Sequence, residues 1–284
     1  MSETSINQSI LVTGVSSGIG KAIAERFLQE NFLVFGSVRK TDDASELQNK
    51  FPGQFMPLIF DVTDEKEIHQ SVKVVEERLN GKGLGGLVNN AGIAKGGPLI
   101  YMDPELIKKH FDINVMGVIR VTQAFAKLLG AEEHYSQIPG KIFNISSVSG
   151  VIANPFVGPY VGSKHALEGI SGSLRRELVK FGIDVIIIGP GVIKTPIWKK
   201  STDLSAYDQT PYKDSLNRFA KIVLEGIGKG LKPDEVANLI YKVFLKNHPK
   251  ARYSIDPNRF RNWMVRFILP TKLVDRIMAK KLGL

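Results

Sequence analysis

Cysteine is absent from the 284-residue chain, so disulfides and thiolate metal sites are excluded. That absence fits a reducing compartment. No apolar run reaches the roughly 20 residues that span a bilayer. The polar start MSETSINQS carries no hydrophobic signal segment. The chain therefore reads as cytoplasmic. Its five histidines, at 69, 110, 134, 165 and 248, are scattered and join no ligand-spaced cluster of acids, so no metal is expected. Acid is the scarcer charge: 28 Asp and Glu stand against 38 Lys and Arg, a formal charge of +10. Such a field favours anionic partners: a phosphorylated cofactor, an acidic membrane or nucleic acid. The cations are spread over helices and form no arginine-rich run, which argues against nucleic acid.

What is present is an alternation of short apolar runs and amphipathic stretches. Residues 10–13, 32–38, 54–60, 87–88, 141–145, 183–188 and 251–255 read as strands. Helical patterns fill 19–30, 64–79, 103–129, 160–181 and 234–245. Asp64 and Glu67 have the spacing of a capping box. Strands that alternate with helices predict an α/β fold: a parallel sheet with helices on both faces. No repeat, low-complexity tract or linker interrupts residues 1–284, so one domain is expected.

The glycine-rich TGVSSGIG at 13–20 lies between the first strand and the first helix. Gly14 suits a tight turn, and Gly18 lets the backbone approach a pyrophosphate. Ser16, Ser17 and Ile19 share that turn, and the helix start offers N–H groups to phosphate. The second strand ends at Arg39 and Lys40, with no acid before Asp42. A carboxylate there would bind ribose hydroxyls and repel a 2′-phosphate, whereas an arginine fork suits that phosphate. The expectation is NADP(H), with NAD(H) second. A solvated basic loop is the plain alternative, and Asp42 or Asp43 could pair with Arg39. Asp61 could accept from an adenine amino group beside Val62, or simply cap local backbone while Val62 packs in the core.

Ser147 follows an apolar strand, at the edge where ligands bind in open α/β sheets. Thirteen residues on, Tyr160 and Lys164 stand at i and i+4, on one helix face. A free tyrosine has a pKa of about 10, and bringing it near 7 needs roughly 4 kcal/mol. A cation at about 4 Å supplies roughly 4 kcal/mol at an effective dielectric near 20. Tyr160 can therefore give or take a proton, while Ser147 holds the substrate oxygen. Alone, each residue has an ordinary structural explanation; together, behind a nucleotide turn, they predict carbonyl–alcohol chemistry. Asn114, in the apolar FDINVMGV, needs buried partners. It could bridge backbone, water and Lys164, or tie helix to strand.

TGVSSGIG, DVTD at 61–64, NNAG at 89–92, Asn114, Ser147, YVGSK at 160–164 and PGVIKT at 190–195 stand in the order seen in short-chain dehydrogenases/reductases. Over about 9–256 the chain resembles that family, and in FGSVRK and YVGSKHALEG its retinol, 17β-hydroxysteroid and 3-hydroxybutyrate dehydrogenase-like members. The resemblance implies a three-layer Rossmann-type fold with a seven-stranded parallel sheet, in homodimers or homotetramers. It implies a catalytic tetrad of Asn114, Ser147, Tyr160 and Lys164. It places Asn89, Ala91 and Gly92 at the cofactor, with Pro190, Gly191, Ile193 and Thr195 beside the nicotinamide half.

The segments 94–103, 148–159 and 192–212 would enclose a substrate. Phe156, Val192, Ile197 and Trp198 favour an apolar alcohol or carbonyl over a sugar. Residues 192–230 are expected to form a lid. The extension at 257–284 is basic and amphipathic, and could cover the pocket, meet a second subunit or touch an anionic membrane weakly. Reduction of a C=C or imine bond on the same scaffold, and NADP(H) binding without turnover, are the rival readings.

Overall fold

The computed structural model describes residues 8–257, 264 and 268–284, without the side chains of 199 and 200. Seven strands form one parallel sheet: β1 (Ser9–Val12), β2 (Leu33–Val38), β3 (Phe55–Ile59), β4 (Gly86–Asn89), β5 (Lys141–Ile145), β6 (Asp184–Pro190) and β7 (Arg252–Ile255). Their order is β3-β2-β1-β4-β5-β6-β7. The expected α/β fold and the seven parallel strands are both present. Alternate residues feed opposite faces, as a strand's two-residue period requires. Ile10, Val12, Val34, Val88, Phe143 and Ile186 enter one core cluster. Leu11, Phe35, Leu87, Ile142 and Val185 enter the other.

Helices α1 (Gly18–Gln29) and α9 (Pro233–Phe244) cover the first face through Ile23, Phe27, Val236, Ile240 and Phe244. On the second face, α3 (Glu65–Leu79) and α5 (Gly117–Phe125) bring Ile68, Val75, Val121 and Phe125. There α6 (Gly158–Glu177) adds Leu174. A short α2 (Ser45–Lys50) follows β2. The chain runs outward from β1 in both directions, so β1 and β4 flank the switch point where a crevice opens at the strands' carboxyl ends.

Two local features depart from the sequence patterns. The helix expected over 103–129 is interrupted: α4 (Pro104–Phe111) passes through a π-type turn at Asp112–Met116 before α5 begins. Asn114 sits in that turn, a distortion often found at functional sites. The capping box is also only half made. Asp64 accepts from Lys66 N at 2.9 Å and Glu67 N at 3.0 Å, but the Glu67 carboxylate accepts from Asp61 N at 2.9 Å. It thereby ties the helix to the loop after β3.

Beyond β6 the chain forms α7 (Ile197–Ser201) and α8 (Lys213–Gly228). Helix α10 (Thr271–Leu282) packs on α8: Ser215 Oγ donates to the Gly283 carbonyl at 3.1 Å, and Leu282 is buried. A third cluster joins Ala94, Phe156, Tyr160, Leu204, Leu216 and Phe219. Of the basic, amphipathic extension expected at 257–284, residues 258–263 and 265–267 fall outside the described residues. Among them, no helix is long and apolar enough to cross a membrane.

Candidate active site

A cleft of about 1080 Å³ opens at the carboxyl ends of the strands. Its floor begins at the glycine turn. Gly14 and Gly18 have φ of +72° and +62°, the left-handed region that favours glycine. A Cβ at Gly20 would collide with the Gly14 carbonyl oxygen, so the helix can start this close to β1 only with glycine there. Thr13 Oγ1 accepts from Asn90 N at 2.9 Å and Ala91 N at 3.0 Å. The Asn90 amide donates back to the Thr13 carbonyl at 2.8 Å and the Gly14 carbonyl at 3.1 Å. These bonds lock the glycine turn to the loop after β4.

At the start of α1, Ser17 makes no side-chain cap, and no acid lies in the first turn. The helix N–H groups therefore face the cleft unclaimed, beside the exposed Ser16 and Ser17. That is a phosphate cradle. Arg39 also lines the cleft and is exposed. Among the described residues it has no ion-pair partner; Asp42 and Asp43 lie in the next turn and do not pair with it. Asp61 and Val62 line the same end. Asp61 Oδ1 accepts from Thr63 N at 3.0 Å and Thr63 Oγ1 at 2.7 Å, and buried Val62 backs onto Gly117. The residues present fit a dinucleotide.

Ser147, Tyr160 and Lys164 line the other end with Ile145, Ser146, Ile197 and Trp198. All three are buried. Ser147 Oγ accepts from Ser149 N at 3.0 Å, which leaves its own proton to donate. Lys164 Nζ donates to the Ile145 carbonyl at 2.7 Å and lies 5.8 Å from the centre of the Tyr160 ring. Burial lowers the Lys164 pKa from 10.5 to about 8, opposed by the negative charge of Glu168 one turn on. Burial likewise raises the Tyr160 phenol, and a hydrogen bond from Ser147 lowers it. Desolvation thus outweighs the Ser147 hydrogen bond, and Tyr160 stays protonated.

Asn114 spends its whole amide on two elements. Its Oδ1 accepts from Ile93 N at 2.8 Å, and its Nδ2 donates to the Ile93 carbonyl at 3.0 Å and Ser163 Oγ at 2.9 Å. It makes no direct bond to Lys164. It fixes the cleft wall after β4 against α6. His110, not singled out by its sequence position, does related work. Its Nε2 accepts from Lys95 N at 3.0 Å, so Nδ1 carries the proton to the Leu106 carbonyl at 2.8 Å. Burial lowers its pKa and keeps the ring neutral, against a weaker upward pull from that carbonyl.

Ala91, Gly92, Pro190, Gly191, Ile193 and Thr195 line the cleft. Asn89, Phe156 and Val192 are not part of its wall. The pleat of β4 turns Asn89 inward, where its amide donates to Thr122 Oγ1 at 3.0 Å and Asn144 Oδ1 at 2.9 Å; Asn90 faces the cleft instead. Phe156 has φ +65° and stacks edge-on against Tyr212 and Phe219. Val192 pairs through its carbonyl with Leu231 N. Arg252 bridges three elements behind the site. Its Nε donates to both Glu168 oxygens at 3.2 and 3.0 Å, and Nη2 reaches the Ser147 carbonyl at 3.4 Å. No pattern in the sequence singled it out.

A family model described as short chain dehydrogenase matches residues 8–205. A protein of Ornithobacterium rhinotracheale named NADPH-dependent 3-dehydrocapnine reductase is 40% identical over 273 residues, 96% of each chain. Human retinol dehydrogenase 5 is 31% identical over 291 residues, 96% of this chain and 88% of the relative. The crystal structure of a short-chain dehydrogenase from Streptomyces avermitilis superposes with a TM-score of 0.75 at 26% identity, covering 96% of this chain and 93% of that one. The chain belongs to the short-chain dehydrogenase/reductase family and is an NAD(P)-dependent oxidoreductase.

Proposed function

We propose that the protein reduces the carbonyl of an apolar ketone or aldehyde, with NADPH preferred, through Ser147, Tyr160 and Lys164. The observation that carries this reading is the buried Ser147–Tyr160–Lys164 set at one end of a cleft whose other end holds the glycine turn and Arg39. When bound, the dinucleotide supplies the hydride. Tyr160 donates the proton to the carbonyl oxygen. In the reduction direction a phenol held protonated by burial is ready to give that proton. Ser147 donates to the same oxygen, since its lone pair is engaged by Ser149 N. Lys164 orients the ribose hydroxyls and steadies the phenolate left after transfer. Asn114 positions the wall opposite.

Gly14, Ser16, Ser17, Gly18 and Ile19 would hold the pyrophosphate, and Asp61 and Val62 the adenine. Ala91, Gly92, Pro190, Gly191, Ile193 and Thr195 would border the rest. Arg39, with no ion-pair partner among the described residues, supports recognition of a 2′-phosphate. The name of the 40%-identical relative points the same way. Trp198, edge-on to the Tyr160 ring at 6.4 Å, and Ile197 would meet the substrate's apolar body. Helices α7 and α8 would act as its lid. Exposed Phe111 and Met116 support a homodimer or homotetramer.

The test is isotopic. NADPH deuterated at C4 should deliver one deuterium to the carbinol carbon of a long-chain ketone, one per NADPH consumed. Transfer to an alkene or imine carbon, or none across an apolar carbonyl panel, would overturn the assignment.

A further inference from the structure

We propose that α10 docks the protein on the surface of an anionic lipid bilayer. The helix has two apolar faces, and among the described residues only one is packed against the rest of the fold. Leu282 is buried and Met278 packs against the third cluster, with α8 beneath them. On the opposite side Leu273, Ile277 and Leu284 are 42%, 50% and 55% exposed. A spacing of four puts Leu273 and Ile277 in one line along the helix axis, and Leu284 follows just past the helix end, beyond Gly283. Ile268, just before the helix, is 57% exposed.

Charge decides what could cover this line. The helix carries Lys272, Arg276, Lys280 and Lys281 against one acid, Asp275, and all five are exposed. At 100° per residue, Lys272 and Arg276 fall on one flank of the line and Lys281 on the other, with Lys280 inside it. An apolar stripe bordered by cations is the pattern of a helix lying in the headgroup layer. There lysine stems run along the apolar side and their ammonium groups reach anionic phosphates. A second copy fits poorly. Two such faces would oppose Arg276 and Lys280 with their own like charges. Three side chains also fall far short of the roughly 800 Å² per partner of a stable interface. With 12 residues the helix lies on a bilayer and does not cross it. Its inner face rests on α8, whose Leu216 and Phe219 pack in the same cluster as Tyr160. Docking would thus hold the site's roof at a surface where apolar carbonyls collect.

The test is flotation of the full chain with vesicles of phosphatidylcholine alone or with about one-third phosphatidylglycerol, at low and high salt. The proposal expects co-flotation with the anionic vesicles, weakened by salt. Leu273→Ser with Ile277→Ser, and separately Lys272→Glu with Arg276→Glu, should each lower it by at least about tenfold. Turnover of a water-soluble carbonyl should be unchanged in both. Absence of flotation with anionic vesicles, or equal flotation of wild type and both variants, would overturn it. So would a drop in oligomer mass by light scattering in the Leu273→Ser/Ile277→Ser variant without vesicle binding by the wild type. That result would make the face a contact between copies.

Discussion

Replacing Lys164 by methionine should make the ligand-free protein more stable at neutral pH while removing its activity. Lys164 is 6% exposed, and its folded pKa is depressed from 10.5 to about 8. For a base, depression means that the native state resists the charge. Below about pH 8 both states hold the proton, and the native state carries the whole penalty, about 3 kcal/mol. Between 8 and 10.5 the unfolded chain keeps a proton that the native state has released, so stability rises with pH. Above that range the penalty is gone. Methionine removes it at every pH but leaves the Ile145 carbonyl, now accepting at 2.7 Å, without its donor. That loss costs roughly 1–3 kcal/mol. The net gain at pH 7 is then about 1 kcal/mol, or roughly 2–4 °C in Tm for a chain near this size. Near pH 10 the sign should reverse, because less than about 1 kcal/mol of the penalty is left against the lost hydrogen bond. Thermal unfolding by circular dichroism at pH 7 and pH 10 reads both. A variant less stable by the same amount at both values would refute the reasoning. Activity at saturating NADPH should fall at least about a hundredfold.

Two further predictions concern charges around the site. Glu168→Gln removes the carboxylate that sustains the charge on Lys164. The alkaline limb of the pH–kcat/KM profile should move to lower pH, whereas Glu168→Asp should restore most of it; an unmoved limb would show that Glu168 acts only as a structural partner of Arg252. Arg39→Ala should weaken NADPH binding by roughly ten- to a hundredfold and leave NADH within about twofold, as loss of a charge-assisted phosphate contact requires. Titration by nucleotide fluorescence measures both, and an equal loss for the two nucleotides would remove Arg39 from the discrimination.

The parts of this protein that were legible in its sequence are those set by periodicity and local geometry. Residues 185–188 of β6 form an unbroken apolar run because helices cover both faces of the sheet. Glycines 14 and 18 announced a turn that only left-handed backbone could make. What was not legible depends on direction and environment. NNAG holds two asparagines, and only the pleat of β4 decides that Asn89 points into the α5 layer and Asn90 into the cleft. Phe156 lies in a loop near Tyr160, but positive φ swings its ring into the cluster under α8. Asn114 sits on an apparently regular helix; the π-type turn that aims it at Ile93 leaves no clear mark in the pattern. The downward pull of Lys164 on the Tyr160 pKa could be weighed from the i, i+4 spacing, but burial of the phenol, which pushes the other way, could not. Arg252, 105 residues from Ser147, joins the site only through the β6–β7 pairing.

The most direct test of the account is single-turnover reduction of an apolar ketone at saturating NADPH, comparing wild type with Tyr160→Phe. Loss of the proton donor should slow the chemical step by about 10²–10⁴-fold, with NADPH affinity held within about twofold because the phenol is one contact among many. A variant that reduces the ketone within about threefold of the wild-type rate would contradict the role of Tyr160 as the acid, and with it the mechanism proposed for this cleft.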